Sequence, residues 1–232
     1  MNLEARLEEV RAEYLRRACS GEGFLLRQVE HYATATSGKM LRPRMLLAAA
    51  ATRGDEVLAS QRTLLLAVAV EMLHNASLLH DDVVDNDQQR RGQPSVNARW
   101  SNSVAVIAGD HLLAQIMMLL DEVDDRDATR RINHTVIAMT EAELLAQETL
   151  KQPGKQTKEQ YLSIVDGKTA RLFATAAALG NPEYEEFGLH YGRLFQLRDD
   201  VVDNETTPFT ADLIRQEEEA LAAIKHSLLI QI

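Results

Sequence analysis

Residues Arg62 to Asp85 constrain the fold more than any other stretch of the chain. Leu64-Leu65-Leu66-Ala67-Val68-Ala69-Val70 is apolar throughout, and Met72, Leu73, Leu78 and Leu79 extend the pattern. A helix that is apolar on every face belongs at the centre of a core. The rest of the chain reads as helices suited to surround it. Leu3, Leu7, Val10 and Tyr14 recur at three- and four-residue spacing, which predicts an amphipathic helix over 3–17. A second helix is predicted over about 23–34, after a Gly-x-Gly break. A third opens near Gly38, with Pro43 in its first turns, where a missing N–H is tolerated. Gln88 to Pro94 reads as a polar loop. Further helices are predicted over about 103–121, 127–151, 157–179, 183–204 and 211–229, separated by breaks such as Gln152-Pro153-Gly154 and Gly180-Asn181-Pro182. Eleven Gly and five Pro in 232 residues are too few turn-formers for an all-β sandwich or barrel. The expectation is an all-α bundle of about ten helices without strands, one domain over 1–232.

Charge and cysteine content narrow the partners. Thirty-five Asp and Glu against 25 Lys and Arg leave a net charge of −10. Such a surface repels nucleic acid and anionic lipid, so no nucleic-acid partner is expected. Any phosphate-bearing ligand must be held by local cations or by metal ions. No apolar run approaches 18 residues, and the start Met1-Asn2-Leu3-Glu4-Ala5-Arg6 does not resemble a secretory leader. The single Cys19 rules out a disulfide framework and fits a reducing compartment. A cytoplasmic protein without a membrane anchor is the expectation.

The hexapeptide Asp-Asp-Val-Val-Asp-Asn occurs twice, at 81–86 and at 199–204, and each copy ends a predicted helix. Acid at a helix C-terminus opposes the macrodipole, so something must offset it. The first and last Asp of each copy are four residues apart, on one helical face and about 6 Å apart along the axis. One Asp-x-x-x-Asp alone reads as a solvated helix end. Two copies, one of them on the most apolar helix in the chain, read instead as a pair of ligand faces. Turned toward each other they would line a cleft with oxygen, which suits Mg²⁺ sharing its shell with water and substrate phosphates. The cations are clustered too. Lys39, Arg42 and Arg44 lie at a predicted helix start, Arg90-Arg91-Gly92 follows the first acidic copy, and Lys168 and Arg171 interrupt an apolar helix. Arg offers phosphate a bidentate fork and Lys a point charge. His74 lies two turns before Asp81 on roughly the same face, and Gln196 three residues before Asp199.

These residues carry a resemblance. Glu71-Met72-Leu73-His74-Asn75-Ala76-Ser77-Leu78-Leu79-His80-Asp81-Asp82-Val83-Val84-Asp85 with Arg90-Arg91-Gly92 closely resembles the first aspartate-rich region of trans-isoprenyl diphosphate synthases. Gly38-Lys39 with Arg42-Pro43, Gly167-Lys168-Thr169-Ala170, and Phe195-Gln196-Leu197-Arg198-Asp199-Asp200 with Asp203 follow in the family's order, over about 24 to 205. The resemblance implies mostly antiparallel helices around a deep cavity, and a homodimer. It implies three Mg²⁺ per active site with substrate bound, held by Asp81, Asp85 and Asp199 with Asp82, Asp200 and Asp203 nearby. It places Lys39, Arg42, His74 and Arg91 on isopentenyl diphosphate, and Arg90, Lys168, Thr169 and Gln196 on an allylic diphosphate. It implies a prenyltransferase that ionises the allylic diphosphate, condenses it with isopentenyl diphosphate and eliminates a proton. Asp81, Asp82, Asp85, Asp199, Asp200 and Lys168 are then its catalytic residues.

In this family aromatic residues four and five positions before the first Asp can block the growing chain. Here those positions hold Ser77 and Ala76, both small, which implies products of C20 or longer. Ile116, Met117, Met118 and Leu119, or Met72, are candidates for a deeper floor. The chain departs from the family after about 205, where a lysine-containing loop and several helices are expected. Thr206-Thr207-Pro208 instead leads to one helix, with Ile214, Leu221, Ile224 and Leu228 on its apolar side, and Lys225 is the sole later lysine. That departure keeps open a non-catalytic or partner-requiring subunit of a larger synthase. A metal phosphohydrolase centred on His80-Asp81, with His31, His74 and Asp85, would leave the second hexapeptide unexplained. A terpene cyclase would leave Lys39, Arg42 and Arg91 without a purpose.

Overall fold

The computed structural model describes residues 2–20, 23–35, 38–151 and 155–224. The Gln152-Pro153-Gly154 break and Lys225, Leu228 and Leu229 lie outside the described residues. The chain divides into two compact units, Met1–Arg44 with Leu58–Asp125 and Met45–Val57 with Arg126–Ile232.

In the first unit, α1 (Leu3–Ala18) starts on Asn2, whose side chain accepts from the Glu4 N–H. Next come α2 (Phe24–Ala35) and α3 (Leu41–Ala51), of which the part from Met45 on belongs to the second unit, as does the chain up to Val57. α3 begins three residues later than Gly38, because Met40 takes a left-handed conformation, φ +47°, and the chain becomes helical only beyond it. After the short α4 (Asp55–Ala59) comes α5 (Gln61–Val84), capped by Ser60 accepting from the Thr63 N–H at 3.2 Å. Leu65, Leu66, Ala67, Val68, Ala69, Val70 and Met72 are essentially inaccessible, as an all-round apolar helix requires. Each large side chain among them contributes about 1.5–3 kcal/mol relative to exposure.

The expected polar loop at 88–94 contains a small antiparallel hairpin, β1 (Gln89–Arg90) and β2 (Gln93–Pro94). Two-residue strands leave no alternation to detect. The turn relies on positive φ at Arg91 (+53°) and Gly92 (+76°), a conformation Arg seldom signals. A short α6 (Val96–Arg99) follows, then α7 (Asn102–Val123). α5 and α7 are long and apolar enough to cross a membrane by length and composition, and α5 is mostly buried. On α7, Ile116 and Leu119 are buried while Met117 and Met118 are exposed. The proposed floor of four consecutive residues is therefore at most two, since helical periodicity turns the middle pair outward.

In the second unit, α8 (Arg126–Leu150) is followed by α9 (Lys158–Val165), a π-helical turn over Asp166–Ala170, and α10 (Arg171–Gly180). The single helix expected over 157–179 is thus interrupted at Asp-Gly-Lys-Thr-Ala. The turn packs tightly on α8 at Gly167, where a Cβ would sit 2.3 Å from the Ala142 Cβ and 2.6 Å from the Ala138 carbonyl oxygen. α10 is buried from Leu172 to Gly180. Phe173 packs on Tyr191 and Phe195, ring centroids 5.2 and 5.6 Å apart, both on α11 (Glu185–Val202). Finally α12 (Thr210–Ala223) lays Leu213 into a cluster with Tyr161, Val165 and Leu197, backed by Phe209 and Ile214. The buried stripe of this helix is Thr210, Leu213 and Glu217, with Ile214, Leu221 and Ile224 only partly covered. Glu217 is held by the His190 Nδ1 at 2.5 Å and Arg193 Nη1 at 3.5 Å, a polar anchor that an apolar pattern does not announce.

Candidate active site

The two hexapeptides fold the same way. Asp85 and Asp203 close their helices with nearly identical φ and ψ (−85°, −5° and −85°, 0°). Their N–H groups donate to Asp81 O at 2.8 Å and Asp199 O at 2.9 Å. Asn86 and Asn204 then turn left-handed, φ +56° and +60°. Asn tolerates that region, and it reverses the chain so that the next N–H donates back. Asp87 donates to Asp82 O at 2.9 Å, and Glu205 to Asp200 O at 2.8 Å.

In each copy the second Asp is buried and held, and the other two are more accessible. In the first unit Asp82 is 3% exposed. Arg90 Nε donates to its Oδ1 at 2.7 Å, and the same guanidinium reaches Asp87 Oδ2 at 3.0 Å. Burial pushes the Asp82 carboxyl above its ordinary range, and the Arg90 hydrogen bond opposes the shift. Asn97 of α6 donates Nδ2 to both Asp82 O and Asp87 O at 3.0 Å, fixing the turn after the helix. Asp81 is partly exposed and Asp85 exposed. In the second unit Asp200 is 7% exposed. It accepts from Gln196 Nε2 at 2.7 Å and from the Tyr161 hydroxyl, while Asp199 and Asp203 are exposed. Burial, and then the Asp200 carboxylate, push the Tyr161 phenol well upward, so it remains a donor. Thus Arg90 offsets the buried acid at one helix end, and neutral donors do so at the other.

The remaining sequence-derived residues fall into place within each unit. Gly38 lies under Arg91, and a Cβ there would come 2.9 Å from its Nη2. The Gly-Lys pair and the hairpin turn are thereby brought together. Lys39 is exposed, and Arg42 sits partly buried in the first turn of α3. Arg44 turns away to Glu4, with Nη2 at 3.0 Å from Oε2. The pKa of His74 is pushed well below its ordinary value by burial and then by the guanidiniums of Arg42, Arg91 and Arg90. Its imidazole is neutral at neutral pH. Ala76 is buried, and Ser77 is partly exposed with its hydroxyl donating to His74 O at 2.9 Å. In the second unit Lys168 Nζ is 2.6 Å from Glu143 Oε2, and Thr169 Oγ1 donates to Gln196 Oε1 at 2.6 Å. Gln196 therefore bridges Thr169 to Asp200. Arg193 grips Asp166 through Nε and Nη2 at 2.5 and 2.7 Å, fixing the start of the π turn.

His80 packs toward α7, its Nε2 3.2 Å from Val106 O and 3.5 Å from Asp110. Among the described residues no three His, Cys, Asp or Glu side chains form a metal-holding group. The donors on offer are carboxylate pairs four residues apart, which fits a hard cation that draws most of its shell from water and phosphate. Sequence reasoning missed the roles of Tyr161, Asn97 and Glu71. Tyr161 and Asn97 carry no local signal. Glu71 does, as the one acid within the apolar part of α5.

The neutral state of His74 has a measurable consequence. Its folded pKa lies below its unfolded one, so protonation favours the unfolded chain and stability falls as pH drops below about 6.5. The slope attributable to this group approaches about 1.4 kcal/mol per pH unit at its steepest. Urea titrations between pH 7.5 and 5 on the protein and on His74→Gln should show that increment only in the former.

The family model described as polyprenyl synthetase matches residues 24–214. The chain is 38% identical to the all-trans-nonaprenyl-diphosphate synthase (geranyl-diphosphate specific) of Rhodobacter capsulatus, over 82% of this chain and 61% of that protein. It is 33% identical to heptaprenyl diphosphate synthase component 2 of Geobacillus stearothermophilus, over 82% of this chain and 62% of that protein. Among solved structures it resembles the polyprenyl synthase of Caulobacter crescentus CB15 complexed with calcium and isoprenyl diphosphate. The TM-score is 0.81 and the identity 31%, over 88% of this chain and 64% of that one. The chain spans about three fifths of the length of the curated relatives it matches. With the motifs in order and the helices that carry them in place, the chain belongs to the polyprenyl synthetase family.

Proposed function

We propose that the protein is a Mg²⁺-dependent trans-prenyltransferase, condensing isopentenyl diphosphate with an allylic diphosphate into an all-trans polyprenyl diphosphate of C20 or longer. The observation that carries this reading is the shared build of the two hexapeptides. Each anchors its second Asp inward and leaves the outer two, four residues apart, more accessible. Asp81, Asp85, Asp199 and Asp203 are the side chains that would hold magnesium, up to three ions with substrate bound. Bound there, magnesium would supply Lewis-acid neutralisation of the allylic diphosphate and make it a leaving group.

The chain's own residues do the rest. Lys168 supplies charge to the departing diphosphate. Arg90 fixes Asp82 and holds the turn that presents Asp85. Lys39, Arg42 and Arg91 hold the diphosphate of isopentenyl diphosphate, and neutral His74 offers it an N–H without adding a competing charge. The allylic C1–O bond breaks with its electron pair leaving on diphosphate. The isopentenyl double bond attacks C1, and the proton lost from the neighbouring carbon passes to the released diphosphate. No strong side-chain base is needed, so positioning and electrostatics account for the rate. Apolar walls such as buried Ala76 and Met72 would exclude water from the cation.

Calorimetry of the allylic diphosphate alone tests the metal role. Binding should require Mg²⁺ and be lost in EDTA or on Asp85→Ala; equal affinity without metal would contradict it. Product length tests the cavity. Ala76→Phe should shift the principal product to C15 or C20, read by chromatography of the dephosphorylated lipids, and an unchanged length would remove Ala76 from that role.

A homodimer in the cytoplasm belongs to this reading. Exposed Ile107, Met117 and Met118 on α7 are apolar surface that a second copy would cover. The name of the Geobacillus relative, a synthase component, favours one alternative, a chain that needs a different partner subunit to turn over.

A further inference from the structure

Glu71 is a buried acid that the chemistry above leaves unused. It sits in the fully buried part of α5 and is 2% exposed. Asn75, one turn on, donates Nδ2 to Glu71 O at 2.8 Å and to Oε1 at 3.3 Å. Its Oε2 is buried and accepts no hydrogen bond in the structure. A carboxylate in such a place costs several kcal/mol unless cations face it. Three do, from three other elements: Arg42 at the start of α3, Arg91 in the hairpin turn and Arg11 on α1. Burial pushes the carboxyl upward, and Arg42, Asn75, Arg91 and Arg11 in that order pull it back. The Arg91 guanidinium also lies against Gly38, where a Cβ would come 2.9 Å from its Nη2.

Arg42 and Arg91 are like charges meant to converge on one diphosphate. Without ligand they repel, and a negative charge at Glu71, which interacts electrostatically with both, offsets that repulsion. We propose that Glu71 is a positioning residue that sets the guanidiniums of Arg42 and Arg91 for the diphosphate of isopentenyl diphosphate, without touching that ligand. The proposal rests on the assignment of Arg42 and Arg91 to isopentenyl diphosphate. It adds a reason for an acid inside an otherwise apolar helix.

The test is the affinity of the purified protein for isopentenyl diphosphate, measured by calorimetry for the natural chain, Glu71→Gln, Glu71→Asp, Arg42→Ala and Arg91→Ala. Mg²⁺-dependent affinity for the allylic diphosphate is measured in parallel, with thermal unfolding of each variant. Glu71→Gln keeps the shape and removes the charge. It should weaken isopentenyl diphosphate about tenfold while leaving the allylic diphosphate within twofold, and Glu71→Asp should recover part of the loss. If Glu71→Gln lowers only the melting temperature, or weakens both ligands equally, Glu71 is structural and the proposal fails. If Arg42→Ala and Arg91→Ala weaken isopentenyl diphosphate and Glu71→Gln does not, the site assignment stands and the positioning role is wrong. If neither Arg variant changes that affinity, or the natural chain does not bind isopentenyl diphosphate, the assignment itself is wrong and the proposal falls with it.

Discussion

Asp81→Ala should lower the rate of chain elongation by about a thousandfold, roughly 4 kcal/mol of transition-state stabilisation. The protein should remain folded. Asp81 is partly exposed at the last turn of α5, so its truncation opens no cavity and leaves the anchored pair of Asp82 and Arg90 intact. The loss should therefore appear in turnover and not in the circular dichroism or the melting curve. Asp199→Ala should behave alike, because its hexapeptide is built the same way and Asp200 keeps Tyr161 and Gln196. Asp82→Ala should differ in kind. It leaves Arg90 without its buried partner, and both stability and activity should fall. Single-turnover kinetics beside urea denaturation separate these cases. A loss of only a few-fold for Asp81→Ala would remove the carboxylate from the reaction.

Gly167→Val should be the most damaging change to the fold. Already a Cβ would sit 2.3 Å from that of Ala142 and 2.6 Å from a backbone oxygen of α8, and backbone cannot move aside as a flexible side chain can. Overpacking of this kind costs about 3 kcal/mol or more. For a chain of this size that corresponds to roughly 6–12 °C in melting temperature. The π turn also carries Lys168 and Thr169, so activity per folded molecule should fall as well. Gly167→Ala should be milder but still destabilising. A melting temperature within a degree or two of the natural protein for the Val variant would mean that α8 and the π turn are not packed as described.

The helices were readable because their signals are long. α5 is apolar over many turns, and α7, α8 and α11 begin and end within a few residues of where periodicity puts them. The hairpin was not readable, since two-residue strands around Arg91 and Gly92 carry no periodicity and depend on backbone angles. The π turn was visible only as Asp-Gly-Lys-Thr interrupting an apolar run; the close approach of α8 at Gly167 is tertiary. The acidic repeat announced the site, but not the division of labour inside it. Burial separates Asp82 and Asp200 from their neighbours, and that depends on Arg90 from the hairpin and Tyr161 from α9 as well as on Gln196 one turn before Asp200. The apolar pattern of α12 points to Ile214, Leu221 and Ile224, but these are only partly buried. Its inward stripe includes Glu217, whose burial depends on His190 and Arg193.

The decisive measurement is product analysis of the purified protein acting alone. It is supplied with isopentenyl diphosphate, a C10 or C15 allylic diphosphate and Mg²⁺, and the dephosphorylated lipids are separated by chain length. A series ending at C20 or beyond, absent in EDTA, is the predicted result. Folded protein that binds both diphosphates yet elongates neither primer would contradict a self-sufficient enzyme and point to a chain that works only with a partner subunit.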